Sequence, residues 1–230
     1  MGRFLWAASR RTYGVVAAQA KAIVVSIFMV LPVAGGAAAE PITVAALGDS
    51  LTQGYGLPPE QGFVPQLQGW LRARGADVSI LNAGVSGDTT AGGLSRIAWT
   101  LTPEVDAVIV ALGGNDLLRG IAPEVSRANL DGILQATQNA GVPVLLIGLP
   151  APGNYGPDYQ KEFNGIYPAL AQAYDTLYVE DFLAGLGENT PQALRSYMQA
   201  DGIHPNAAGV AKIVETLGPE VEALLARVRP

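Results

Sequence analysis

The chain contains one histidine, His204, and Asp201 stands three residues before it in the run Asp201-Gly202-Ile203-His204-Pro205-Asn206. A carboxylate at that offset across a tight turn can hold an imidazole in one tautomer and stabilise its charged form. That pair alone also suits ordinary turn chemistry, because Asp-Gly is a common turn dipeptide. Its meaning depends on a nucleophile elsewhere. Acyl transfer through a covalent intermediate needs a hydroxyl, a base to take its proton, a carboxylate to orient the base, and donors for the developing oxyanion. Ser50, in Gly48-Asp49-Ser50-Leu51, is the candidate nucleophile, with His204 as base and Asp201 as its orienter. The Ser50 N–H, the Gly87 N–H and the Asn115 side-chain amide are the candidate donors. Taken singly, Ser50 also suits a helix cap, Gly87 a turn and Asn115 an Asx-turn.

These residues can act together only if the fold gathers them. Short apolar, β-branched runs recur at Ile42 to Leu47, Val78 to Leu81, Ala107 to Leu112, Val144 to Leu149 and Leu177 to Val179, each too short for a helix. Between them lie segments with helical spacing, such as Phe63, Leu67, Trp70 and Leu71, or Val125, Leu130, Ile133 and Leu134 after Pro123. That alternation predicts a parallel sheet with helices on both faces. At the end of the chain, Val210, Ile213, Val214 and Leu217 form one apolar stripe, and Gly218-Pro219 is expected to begin a second short helix. Ligands of open parallel sheets sit beyond the carboxyl ends of the strands. Ser50 follows the first strand, Gly87 the second and Asn115 the third, while Asp201 and His204 occupy the loop before the last helix. All five are therefore expected along one edge.

Composition narrows the function classes. Residues 1–39 hold Arg3, Arg10, Arg11 and Lys21 and no acid, followed by an apolar run from Ala22 to Ala34 and the small-residue site Ala37-Ala38-Ala39. This reads as a secretory signal peptide cleaved after Ala39, because the apolar run is shorter than the ~20 residues a membrane span needs. The expected product is one domain over 40–230, periplasmic or secreted, with no stable membrane anchor after cleavage. Losing the leader removes four of the 14 basic residues and none of the 20 acidic ones, so the net charge becomes 10 minus 20, or −10, which disfavours nucleic acid as a partner. With one histidine and no cysteine, a metal site is disfavoured; no cofactor is expected, and a monomer is favoured although the sequence does not fix the oligomeric state.

Gly48-Asp49-Ser50-Leu51, Gly87, Gly113-Gly114-Asn115-Asp116 and Asp201-Gly202-Ile203-His204-Pro205 resemble, in order and spacing, the four blocks of the SGNH (GDSL) hydrolases. The resemblance covers essentially all of 40–230. Gly87-Asp88-Thr89-Thr90, the stretch Gly113 to Gly120, and the segment from Leu149 through Tyr155 to Pro168 are similar to the bacterial thioesterase I / lysophospholipase L1 / arylesterase branch. It implies an α/β, three-layer flavodoxin-like fold with a five-stranded parallel sheet. It also implies a serine esterase acting on aryl esters and lysophospholipid-like lipids, with acyl thioesters as a further class, through a Ser50–His204–Asp201 triad and an oxyanion hole of Ser50, Gly87 and Asn115. Leu117, Leu118, Ile121 and Tyr155, with Tyr159 and Phe163, are candidates for an apolar acyl groove, or for plain core packing. Two alternatives remain open at this point: a carbohydrate O-deacetylase on the same triad, and a non-catalytic lipid- or glycan-binding module.

Overall fold

Every residue of the central strand β1 (Ile42–Gly48) from Val44 onward is buried, and its side chains alternate between two apolar layers. The computed structural model describes residues 1–2, 40–187 and 194–228; the leader expected at 1–39 lies outside the described residues apart from its first two. The other strands are β2 (Val78–Gly84), β3 (Ala107–Ala111), β4 (Val144–Ile147) and β5 (Leu177–Val179). All pair in parallel in the order β2-β1-β3-β4-β5, with Val44 opposite both Ile80 and Ala107, and Leu145 opposite Leu177. This is the expected five-stranded α/β sheet in flavodoxin-like order.

Val44 and Ala46 face a layer built by Phe63, Leu67 and Leu71 of α2 (Phe63–Arg72) together with Val210, Ile213 and Leu217 of the C-terminal helix. Ala45 and Leu47 face the opposite layer. There they meet Ile97 of α3 (Thr90–Thr100), Leu130 and Ile133 of α5 (Pro123–Ala140), Phe163 of α6 (Pro157–Asn164) and Tyr167 of α7 (Ile166–Tyr174). Two short helices, α1 (Ser50–Gln53) and α4 (Gly114–Leu118), follow β1 and β3 directly. Strand order reverses between those two strands, and in doubly wound sheets the crevice at this point holds the ligand. The described residues from 40 to 228 cluster as one compact unit.

Strands β1 and β3 end within one residue of the sequence expectation, and three other boundaries differ by more. Strand β2 runs on to Gly84 because Asn82, Ala83 and Gly84 pair with Ala46, Leu47 and Gly48; as an edge strand it tolerates an exposed polar Asn82. Strand β4 stops at Ile147, two residues earlier than its apolar run suggests. Gly218-Pro219 does not begin a new helix: α8 is continuous from Ala207 to Leu225 with Pro219 inside it. An interior proline costs roughly 3 kcal/mol. Leu217, Val221 and Leu224 are each 1 % exposed or less, and burying such a side chain contributes roughly 1.5–3 kcal/mol, so packing outweighs the lost hydrogen bond.

Candidate active site

The chain leaves buried β1 at Gly48 and turns at once into α1. Asp49 caps this helix, its Oδ1 accepting the Leu51 N–H at 3.0 Å, so the capping role open to Ser50 belongs to its neighbour. Ser50 thereby becomes the first residue of α1, partly exposed, with its hydroxyl directed to the imidazole of His204. Ser50 Oγ and His204 Nε2 are 2.8 Å apart, and His204 Nδ1 and Asp201 Oδ2 are 2.7 Å apart. The carboxylate partner assigns the ring proton to Nδ1, which leaves the Nε2 lone pair to accept the serine proton. Ser50 thus joins a pair 151 and 154 positions further along the chain in one hydrogen-bonded relay.

Asp201 is held as an anion by its own turn. The His204 N–H donates to Oδ1 at 3.0 Å, the imidazole to Oδ2, and the Ile203 N–H to Oδ1 at 2.9 Å; together they push its carboxyl down to about 2. The loop is tied to the serine turn by Gln199, whose N–H donates to the His204 carbonyl at 2.8 Å while its side-chain amide donates to the carbonyls of Tyr55 and Pro205. The Tyr55 ring covers the imidazole, centroid to centroid 4.6 Å.

Of the three expected donors, the Ser50 and Gly87 N–H groups have no hydrogen-bond acceptor among the described residues. Gly87 has φ +80°, a conformation that favours glycine, and its carbonyl accepts from Arg119 Nη2 at 2.7 Å. Asn115 sits in the first turn of α4, its Nδ2 making only a long 3.4 Å contact with Asp49 Oδ2. Gly113, ahead of α4, has φ +122°, and a Cβ there would run into the hydroxyl of buried Tyr167. That hydroxyl donates to the Leu112 carbonyl at 2.8 Å and so sets the exit of β3. The next side chain after Asn115, Asp116, is fully buried and accepts from the Thr90 N–H, the Thr90 hydroxyl and the Ser126 hydroxyl, which anchors α4 to α3 and α5.

A groove of about 670 Å³ contains Asp49, Ser50, Gly87, Asn115 and His204. Leu117, Leu118, Leu149, Pro150 and Tyr155 provide much of its apolar wall. Leu118 and Tyr155 are 63 % and 44 % exposed, so their side chains line the groove rather than the core. Ile121, Tyr159 and Phe163 are not among the lining residues. Helix α4 ends before Ile121, whose carbonyl instead accepts from the Tyr159 hydroxyl, and Phe163 is fully buried in the α5–α7 layer.

Sequence reasoning passed over several residues of this site. Asp49 is 4 % exposed, and burial, the largest influence, raises its carboxyl to about 6 against the opposing Leu51 N–H, His204 charge and Asn115 amide. Its signal was the cap preference in Asp49-Ser50-Leu51. Tyr55 and Arg119 left no local signal, because their contacts at the site cross 149 and 32 positions of chain, and Arg96 reaches the end of β1 at Gly48 across 48.

The likeness to known proteins runs through the same segments. The model of the GDSL-like lipase/acylhydrolase family matches residues 46–212. The esterase TesA of Pseudomonas aeruginosa is 41% identical over 184 residues, covering 80% of this chain and 89% of the relative. The Escherichia coli K12 protein named thioesterase 1/protease 1/lysophospholipase L1 is 34% identical over 200 residues, covering 86% of this chain and 91% of the relative. The crystal structure of AlinE4, an SGNH-hydrolase family esterase, superposes with a TM-score of 0.66 at 44% identity, over 81% of this chain and 97% of that one. The matched span begins in β1, just ahead of Ser50, and ends in α8, just beyond His204. The chain therefore belongs to the GDSL-like lipase/acylhydrolase family, as a carboxylic ester hydrolase.

Proposed function

We propose that the chain hydrolyses aryl esters, lysophospholipid-like esters and acyl thioesters through an acyl-enzyme on Ser50. The observation that carries this reading is the unbroken contact from Ser50 Oγ through His204 to Asp201, at 2.8 and 2.7 Å. As Ser50 Oγ attacks the ester carbonyl carbon, its proton passes to His204 Nε2, and Asp201 stabilises the resulting imidazolium. The carbonyl oxygen, now an oxyanion, accepts from the Ser50 N–H, the Gly87 N–H and the Asn115 amide. Collapse of the tetrahedral adduct breaks the bond to the leaving alkoxide or thiolate, which takes the proton from His204. Water then attacks the acyl-serine with His204 again as base, releasing the carboxylic acid and restoring Ser50.

The acyl chain is placed along Leu117, Leu118, Leu149 and Tyr155. Each methylene buried there contributes about 0.8 kcal/mol, so kcat/KM should rise by up to about fourfold per added CH₂ until the groove is full. The E. coli relative's name includes both thioesterase and lysophospholipase, in keeping with an acyl-binding surface and leaving groups held outside it. The test is a series of p-nitrophenyl esters from acetate to dodecanoate. Activity should extend through octanoate; cleavage of acetate alone would point instead to O-deacetylation of carbohydrate.

Export is part of the proposal. The basic N-terminal stretch, the short apolar run and Ala37-Ala38-Ala39 support removal of residues 1–39, leaving a single domain that starts at Glu40. Among the described residues no helix is long and apolar enough to cross a membrane. The intact mass of the protein recovered from the cell envelope or medium should match a chain beginning at Glu40, and a mass retaining the leader would refute it.

A further inference from the structure

Two of the donors assigned to the oxyanion, the Ser50 N–H at the start of α1 and the Gly87 N–H in the loop after β2, belong to different segments, and neither bonds within the protein among the described residues. Their spacing must therefore be held from the flanks. One guanidinium reaches both flanks. Arg96, on α3, donates through Nε to Asp88 Oδ2 at 2.7 Å, through Nη2 to the Gly48 carbonyl at 2.8 Å, and through Nη1 to the Ala83 carbonyl. Asp88 directly follows Gly87, Gly48 lies two residues before Ser50, and Ala83 is in the last paired stretch of β2. The Gly48 carbonyl also accepts the Val85 N–H at 3.0 Å, which brings the start of the Gly87 loop onto the end of β1. The two side chains are 22 % and 12 % exposed, so this is a largely enclosed fork rather than a mobile surface pair.

We infer that Arg96 is a positioning residue that sets the separation of the Ser50 and Gly87 donors by locking the end of β1, the end of β2 and the Gly87 loop to one planar group. The inference rests on the donor assignment made above. The charge of Arg96 is balanced by Asp88, so its contribution is geometric. The guanidinium presents its donors in a rigid plane, whereas a lysine ammonium is a point charge that cannot meet three acceptors lying in that plane. A reacting group misplaced by about 1 Å costs roughly 100-fold in rate, and the loss of a whole oxyanion donor costs 10²- to 10³-fold.

Arg96→Lys, which keeps the charge and removes the fork, is the discriminating variant. On p-nitrophenyl butyrate its kcat/KM should fall by roughly 10- to 100-fold. The inhibition constant of an alkyl boronic acid, which forms a tetrahedral adduct with the serine, should rise by the same factor. Binding of the carboxylate product, a ground-state ligand, should stay within about twofold. A folded Arg96→Lys protein with lower thermal stability but unchanged kcat/KM and boronate affinity overturns the inference. Should Arg96→Lys not fold, Asp88→Ala removes the acceptor for Nε and unties the Gly87 loop from the fork, and it is read the same way: parallel losses in rate and boronate affinity support positioning, and their absence overturns it. Asn115→Ala in the same assays separates the two levels. If Asn115→Ala loses boronate affinity and Arg96→Lys does not, only the role of Arg96 fails; if Asn115→Ala loses none, the donor assignment beneath it fails.

Discussion

Replacing Asp49 by asparagine turns the burial of one carboxylate into a measurable pH dependence of stability. Asp49 is 4 % exposed beside Ser50, and its carboxyl is raised from 3.8 to about 6, burial being the largest cause. Between those values the folded protein holds a proton that the unfolded chain has released, so stability falls as pH rises from about 4 to about 6 and then levels off. At roughly 1.4 kcal/mol per pH unit, that rise corresponds to roughly 3 kcal/mol of stability forgone at pH 7. Asparagine cannot ionise, yet its Oδ1 can still accept the Leu51 N–H. The stability of Asp49→Asn relative to the parent should therefore grow by up to roughly 3 kcal/mol between pH 4 and pH 7. Any change in the contact with Asn115 shifts the whole curve and leaves its slope alone. Urea unfolding at pH 4, 5, 6 and 7 measures the difference. A gap that stays constant over that range would refute the reasoning, since it would mean that the buried carboxyl titrates as it does in the unfolded chain.

Asp201 has the opposite sign. Its carboxyl is lowered to about 2 by the His204 N–H, the imidazole and the Ile203 N–H, so the stability it contributes is present above about 4 and lost as pH falls toward 2. Asp201→Asn should flatten this acid limb of the urea midpoints, and unchanged acid limbs would contradict the hydrogen-bonded turn. Gly113→Ala should destabilise the fold by about 2 kcal/mol or more, because φ +122° strains an alanine and its Cβ meets the Tyr167 hydroxyl. Adding Tyr167→Phe should recover only the part due to the hydroxyl; parent-like stability of the single variant would rule out this account of the β3 exit.

The arrangement of the site was readable where its determinants are local. Ser50, Gly87 and Asn115 each follow a short apolar run, so recognising the strands placed them on one sheet edge, and the lone histidine carried its orienting carboxylate three residues upstream. What the chain order concealed depends on tertiary contact. Arg96 meets Gly48 across 48 residues, and Tyr55 covers His204 across 149, with no periodicity or spacing to announce either. Ile121 shares its apolar character with Leu117 and Leu118, and only the end of α4 separates it from the groove wall. Pro219 departs from its local preference for a related reason. Local preference argues for a helix break, and the burial of Leu217, Val221 and Leu224 on one face of α8 overrides it.

The central claim is that Ser50 is the nucleophile activated by His204, and a phosphonate ester that reacts covalently with activated serines tests it most directly. Mass spectrometry should find one adduct per chain, on the peptide carrying Ser50, absent from Ser50→Ala and formed far more slowly in His204→Ala, since the chain has no second imidazole to substitute. An adduct on another residue, or ester hydrolysis that survives in Ser50→Ala, would contradict the account.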